Sequence, residues 1–578
     1  MLPGAFRTKS LSDILASAEK PHTQLRRALG PVHVTMLGIG AVIGAGIFAT
    51  VGEAAAGVGG VPGAGPSLVL SFVITAIACG FTALCYAEFA SMVPISGSAY
   101  TYAYSTLGEW IAWIIGWDLI IEYAIGNVAV AISWGNYFRE FLGAFGIHVP
   151  QWLCIDYRTA ARIDGFLADQ APHILGIPIV CNLFAFLVVM AITIVLVLGI
   201  RESATVNAGM VLVKIIVLVF FVGAALYFVS PAQMVENWKP FQPNGWVGTL
   251  TGASIVFFAF IGFDAVSTVA EETRKPSRDI PIGILASLAI CTVLYCVVSA
   301  AFTGMLPYES LVQKLSVEKA EPLTMAIEHV APDARWVRGF VAFGSVVAHS
   351  AVLLVFQLGQ PRIFFAMARD GLLPPTFTRV HARFRTPYMT TIVTGLCVAL
   401  LASFASIDEM VALTNIGTLF AFTLVCIGIP ILRIRDPQRT RAFKVPFGPF
   451  VFPLLGAASC LGLTYFLPTS SWFRFAAWLL IGMAVYCAYG YSHSAIGQKM
   501  GRASITSISL LVAAVGFLVL AVGTFLIPHN QTPMELWRSA ADAAAEFHRQ
   551  ARNGLLTIGT GLLLAIVGLF AQNLKRPN

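Results

Sequence analysis

The sequence predicts an all-α integral membrane protein, and three observations carry that reading. Only 11% of the 578 residues are Asp, Glu, Lys or Arg, against roughly 25% in a soluble domain. Hydrophobic residues make up 57% and the mean hydropathy is +0.79, more apolar surface than a soluble fold of this size can enclose. Apolar stretches of about 20 residues, enough for one bilayer-crossing helix, recur along the chain. Disordered, collagen-like and disulfide-scaffold classes are excluded by the same composition. The ten cysteines show no CxxC spacing and, apart from Cys154, lie in apolar segments. They read as small buried hydrophobes and not as a metal site.

The elements follow in order. Residues 1–32 are polar and basic (Arg7, Lys9, Lys20, Arg26, Arg27) and carry no short apolar region with a cleavage site, so the first span is expected to act as signal and anchor. Fourteen spans are expected, at about 34–56, 66–92, 108–138, 176–200, 203–229, 248–270, 280–306, 336–368, 386–406, 409–432, 450–468, 472–492, 504–527 and 555–572. With the N-terminus inside, the inner segments hold 23 Lys+Arg and the outer loops 12; Lys214 lies within a span. That bias places both termini in the cytoplasm of a cell membrane. It also explains the net charge of +7 as orientation signals near lipid headgroups, with no patch for nucleic acid. Asn530 opens a glycosylation pattern, and 534–550 reads as a surface-lying amphipathic run in the last outer loop.

Two spans carry breaks. The first reads MLGIGAVIGAGIFATVG over 36–52. Its glycines lack GxGxxG spacing and a preceding strand, so a dinucleotide site is excluded. Helix packing through Gly40 and Gly44 is one reading. The other is an unwound stretch near Val42–Gly46, whose free amides can hold a carboxylate and whose free carbonyls can hold an ammonium group. In the sixth span, Gly262 interrupts an aromatic run (Phe257, Phe258, Phe260, Phe263), and Asp264 follows inside the membrane. Interrupted spans five apart point to an inverted repeat with a midplane site. The expected organisation is a tail (1–32), a core (33–434) of two repeats at about 33–230 and 247–434, and four further spans with a tail (435–578).

Ionisable residues inside spans are costly and mark function by default. Lys214 stands far from either end of its helix. Asp118 and Glu122 are four residues apart and share a face. Glu88, near the inner end of the second span, and Asp118 also fit helix-end hydrogen bonding. His349 reads as a satisfied buried histidine.

The stretches TMLGIGAVIGAGIF (35–48), CYAEFASMVPISGSAYTYAY (85–104), GWDLIIEYAIG (116–126), FFAFIGFDAVSTVAEETRKPSRDIPIGI (257–284) and LGQPRIFFAMARDGLLPP (358–375) resemble the amino acid–polyamine–organocation superfamily, specifically its cationic amino acid transporter family. The resemblance runs from about residue 25 to 500. It implies a LeuT-type fold with five-plus-five inverted repeats and secondary active transport of L-amino acids by alternating access. It implies that Val42, Ile43, Gly44, Ala45 and Gly46 with Phe257, Phe258, Ala259, Ile261 and Phe263 bind the substrate, Glu122 lining the same region. It further implies that Lys214 takes a sodium ion's place, with Asp264 and Glu122, so that the coupled ion is a proton. The expected partners are an amino acid, a proton and membrane lipid, with a small membrane partner left open. No metal or cofactor is expected.

The wall in span 8 (Val355, Phe356, Gln357) is bulky and not acidic, which favours broad neutral substrates. A cationic amino acid or polyamine carrier, acting as uniporter or exchanger, is the alternative. An amino-acid-sensing receptor would need a larger inner region than the roughly 32-residue maximum seen. No HExxH, GxSxG, metal-cluster or phosphate-loop motif suggests an enzyme.

Overall fold

The computed structural model describes residue 8, residues 29–526 apart from 58–60, 93–97, 162, 164–165, 175, 200–203, 318–320, 385 and 500–507, and residues 557, 560–562, 564 and 565. The glycosylation pattern, the 534–550 run and nearly all of the N-terminal tail and fourteenth span lie outside the described residues.

Helices dominate because a bilayer offers backbone groups no water to bond. Eight described helices are long and apolar enough to cross a membrane, and a bent pair, Pro31–Val42 with Gly46–Ala56, makes a ninth. Shorter apolar helices (Leu183–Val197, Tyr388–Phe404, Val451–Tyr465, Ile508–Val522) fall at expected spans 4, 9, 11 and 13. The first thirteen expected segments therefore all carry helix. Spans are numbered here by those segments: span 2 is Gly65–Met92, span 3 Glu109–Ala144, span 5 Val206–Phe228, span 6 Gly245–Ser267, span 7 Pro276–Met305, span 8 Arg335–Arg369, span 10 Ile407–Arg435 and span 12 Thr469–His493. The described strands form one two-stranded hairpin in the loop after span 3, pairing His173 with Pro178 and Ile174 with Ile177.

Spans 3 and 6 are the most enclosed, and spans 5 and 12 are among the least. On span 5, Leu212, Ile216 and Val219 are exposed; their helical spacing makes a lipid-facing stripe. Span 2 packs on 7, span 3 on 8 and span 4 on 9, while the two broken spans meet at their breaks. The chain before span 1 pairs with the end of span 6: Leu29 N donates to Glu272 O at 3.0 Å, and Arg274 N to Leu29 O at 2.9 Å. The two broken spans are thus tied at the break and at this end, which also carries the Arg-rich connections after spans 8 and 10 and is called the basic end below.

Glu88 is fully buried near that end. It accepts from Arg433 Nε at 2.8 Å and also pairs with Arg433 Nη2. Arg441 Nε lies 3.4 Å away, and Val445 N donates at 2.7 Å. Its place is structural: it joins span 2 to span 10 and to the connection that follows.

Candidate functional site

Span 1 unwinds after Val42. Ile43 is extended, with φ −75° and ψ 105°. A π-helical turn over Gly46–Thr50 restarts the helix, and the two halves diverge by 41°. The break is buried, and the amides of Gly44, Ala45 and Gly46 meet no acceptor among the described residues. Buried backbone donors are nearly always bonded. Three in a row at a helix start form a ready cradle for an anion.

The carbonyls released by the same break are engaged. Lys214 Nζ donates to Gly40 O at 2.6 Å and to Ile43 O at 2.9 Å. The Tyr295 hydroxyl of span 7 lies 2.9 Å from Val42 O and 3.0 Å from Ala259 O, so one group bridges both broken spans. The Tyr137 hydroxyl of span 3 donates to Phe48 O at 2.6 Å. Cation and hydroxyl donors thus replace the lost helix ladder on the carbonyl side, and the amide side stays open.

Span 6 breaks after a 3-10 turn at Phe257–Phe260. Ile261 is extended, Gly262 takes φ 118°, and a 3-10 helix resumes at Asp264. Only glycine adopts that φ without strain. A Cβ on Gly262 would stand 2.9 Å from the Ala41 backbone, and one on Gly46 would stand 2.1 Å from Ala259 Cα. The two breaks therefore interlock glycine to backbone. Phe257 and Phe263 pack on Phe422 of span 10, and Phe260 packs on Tyr295. Phe258 and Phe263 are both buried.

The substrate positions proposed from the sequence come together at this crossing. The span 8 wall differs in detail. A Cβ on Gly44 would meet Val352 at 2.7 Å, so Val352 faces the break. Phe356 packs on Tyr123, and Gln357 bonds to Val189 O at 3.3 Å and Asn127 at 3.4 Å, turned to spans 3 and 4. Tyr295 was missed as well. Its signal was the one phenol of span 7, whose hydroxyl needs a partner when buried.

Glu122 sits in a π-helical turn of span 3, over Ile121–Ile125. Its neighbours are Asp264, Asp118 and Thr418. Both carboxyl-bearing side chains are buried. Expected together around the substrate and Lys214, Glu122 and Asp264 adjoin as one acidic pair. His349 is part satisfied: Nδ1 meets Ser345 O at 2.6 Å, while Nε2 has no partner among the described residues. It stacks near Phe48 and Tyr137.

Comparison with known proteins identifies the family. Residues 29–485 match the amino acid permease family. The chain is 44% identical over 498 residues to a branched-chain amino acid permease of Bacillus subtilis, covering 86% of this chain and all of the relative. It is 40% identical to a methylthioribose transporter of the same organism, covering 85% of this chain and 99% of that one. It is also 39% identical over 426 residues to a vacuolar cationic amino acid transporter of Arabidopsis thaliana, covering 73% of this chain and 62% of the relative. An apolar helical bundle with a break of open amides, matched along most of its length to permeases, places the chain in the amino acid permease family of the amino acid–polyamine–organocation superfamily, as a multi-pass membrane transporter of amino acids.

Proposed function

We propose that the protein carries neutral L-amino acids by proton-coupled alternating access, with Lys214 in place of a coupling cation. The observation that carries this reading is the Lys214 ammonium on Gly40 O and Ile43 O, beside the open amides of Gly44, Ala45 and Gly46. The amides suit the substrate α-carboxylate; carbonyls of the two breaks suit its ammonium. A charged Lys214 ties span 5 to the first half of span 1 through charge-assisted bonds. Loss of its proton weakens that tie and lets the half-helix swing. The packing of spans 1–4 on spans 6–9 supports two five-span repeats. The basic end is the cytoplasmic one by the charge bias of the loops.

Val352 against Gly44 gives the break an apolar wall, and the acids Glu122 and Asp264 face one another. The apolar wall favours a neutral side chain. The name of the branched-chain permease points the same way, and the plant relatives' name supports the cationic alternative.

The test is uptake of labelled alanine, leucine and arginine into proteoliposomes under a pH gradient, with and without sodium. Alanine or leucine accumulation driven by the gradient alone is expected, and Lys214→Ala should lower it at least tenfold. Strict sodium dependence, or full gradient-driven uptake by Lys214→Ala, would end the coupling assignment. Arginine outcompeting alanine would reverse the substrate assignment.

A further inference from the structure

On the basic side of the substrate region, spans 2, 3, 6 and 10 and the helix Ser98–Thr106 enclose a set of buried oxygens that lack a well-formed hydrogen bond among the described residues. They are both carboxylate oxygens of Asp118, both of Asp264, Oε2 of Glu122, and the hydroxyls of Tyr86, Tyr102, Ser267 and Thr418. They belong together. Glu122 neighbours Asp264, Asp118 and Thr418; Tyr86 neighbours Asp264, Glu122 and Tyr102; Tyr102 neighbours Ser267. Glu122 comes into side-chain contact with Asp264 and Thr418, and Tyr102 with Ser267, whereas neither Asp118 oxygen meets a hydrogen-bonding group among the described residues.

A folded chain seldom leaves one buried polar atom unbonded. A cluster of them in one place needs an occupant. The unsatisfied polar atoms here are all oxygens, with carboxyls at three points, so the site repels anions and suits water carrying a proton. It does not close on a metal: no group of three or more metal-ligating side chains gathers among the described residues.

Asp118 is the member that the substrate site does not use. It is 1% exposed. Span 10 makes room for it with Gly417, where a Cβ would stand 2.8 Å from Asp118 Oδ1. Asp118 lies about 6 Å along the helix axis from Glu122, and Glu109 a further 13 Å or so on. Glu109 is the acid of the basic end of span 3, held by Tyr486 at 2.8 Å and Ser494 at 2.5 Å.

The charged and titratable groups facing this stretch are few. Span 2 supplies Tyr86 and Cys79, span 3 supplies Glu122, Tyr123 and Glu109, span 6 supplies Asp264, and span 12 supplies Tyr486. The helix Ser98–Thr106 supplies Tyr100, whose hydroxyl donates to Asp370, just after span 8, at 2.8 Å, and Tyr102. The arginines of span 10 are turned elsewhere: Arg433 to Glu88 and Arg435 to Thr106 O.

We infer that Asp118 is a proton station between the Glu122–Asp264 pair and the basic end, so that a proton released at the substrate level leaves through the Asp118 carboxyl. This inference rests on the proton-coupled reading above. In each transfer the carboxyl gains a proton from water or Glu122 and returns one to water on the basic side, with no other bond changed.

The test uses the full chain in proteoliposomes with labelled alanine and two assays: accumulation driven by a pH gradient, and alanine–alanine counterflow at equal pH. Asp118→Asn keeps shape and removes the titration. It should lower driven accumulation at least tenfold and leave counterflow within twofold of wild type. Unchanged driven accumulation overturns the inference. So does an equal fall in both assays, which would make Asp118 a packing residue. Should Asp118→Asn fail to yield folded protein, Asp118→Ser is read in the same two assays. The wild-type arm is read first: alanine uptake indifferent to the pH gradient defeats the coupled reading itself, and this station with it.

Discussion

Gly46 and Lys214 show how little separates a packing residue from a functional one in this molecule. Gly46 lies so close to Ala259 that any side chain meets backbone. Gly46→Ala should destabilise the protein by about the 1–3 kcal/mol typical of overpacking or more, with transport lost; a melting curve in detergent and alanine uptake check both. Substitution at Gly80, where a Cβ would meet nothing within 4 Å, should change neither. Lys214 could be singled out from the sequence because a cation deep in an apolar helix has no cheap reason to be there. Its two acceptors could not, since they sit 174 and 171 residues away. Tyr295 was passed over because a tyrosine in a span is not costly by composition, and only its position between Val42 O and Ala259 O gives it weight.

At the level of elements, the breaks in spans 1 and 6 were legible as glycine-rich interruptions. Their residue-level form was not. Gly262 reaches φ 118° and Ile43 turns extended because each break must fit against the other. The Glu88 cluster makes the same point. From the sequence Glu88 could be functional or a helix-end acceptor; the fold brings Arg433 to it from 345 residues away. Glu88→Gln leaves Arg433 and Arg441 without their anion, and breaking such a buried pair costs about 3–5 kcal/mol. A clear fall in melting temperature is expected, and restoring it by Arg433→Met in the same chain would show that the penalty is the stranded charge. Survival of the single variant at wild-type stability would refute the assignment of Glu88 to structure.

For the whole molecule, the distribution of Lys and Arg makes an orientation prediction. Gln438, exposed after span 10, should face the cytoplasm, and Ala232, exposed before span 6, should face outward. In right-side-out membranes, an impermeant maleimide should label Ala232→Cys and spare Gln438→Cys; inverted membranes should reverse the pattern. The native thiol of the loop between spans 3 and 4, Cys154, stays quiet in this assay. Burial pushes the Cys154 thiol up to about 11, against the opposing pull of Arg139, so it is not appreciably thiolate at neutral pH. Equal labelling from both faces would contradict the orientation.

The sequence by itself determined the class, the order of spans and the places where helices break. Those follow from composition, from a 20-residue length scale and from glycine, all of which are local. It also marked Lys214, Glu122 and Asp264, because charge inside a membrane is expensive wherever it occurs. Only the tertiary structure decided what those groups touch. It set Lys214 on the span 1 carbonyls, left the Gly44, Ala45 and Gly46 amides open, paired Glu122 with Asp264 and gave Glu88 its arginines. The physical reason is one of range. Burial and helix formation are set by neighbours a few residues apart, whereas a hydrogen bond is satisfied by whichever group the packing of distant spans brings within about 3 Å.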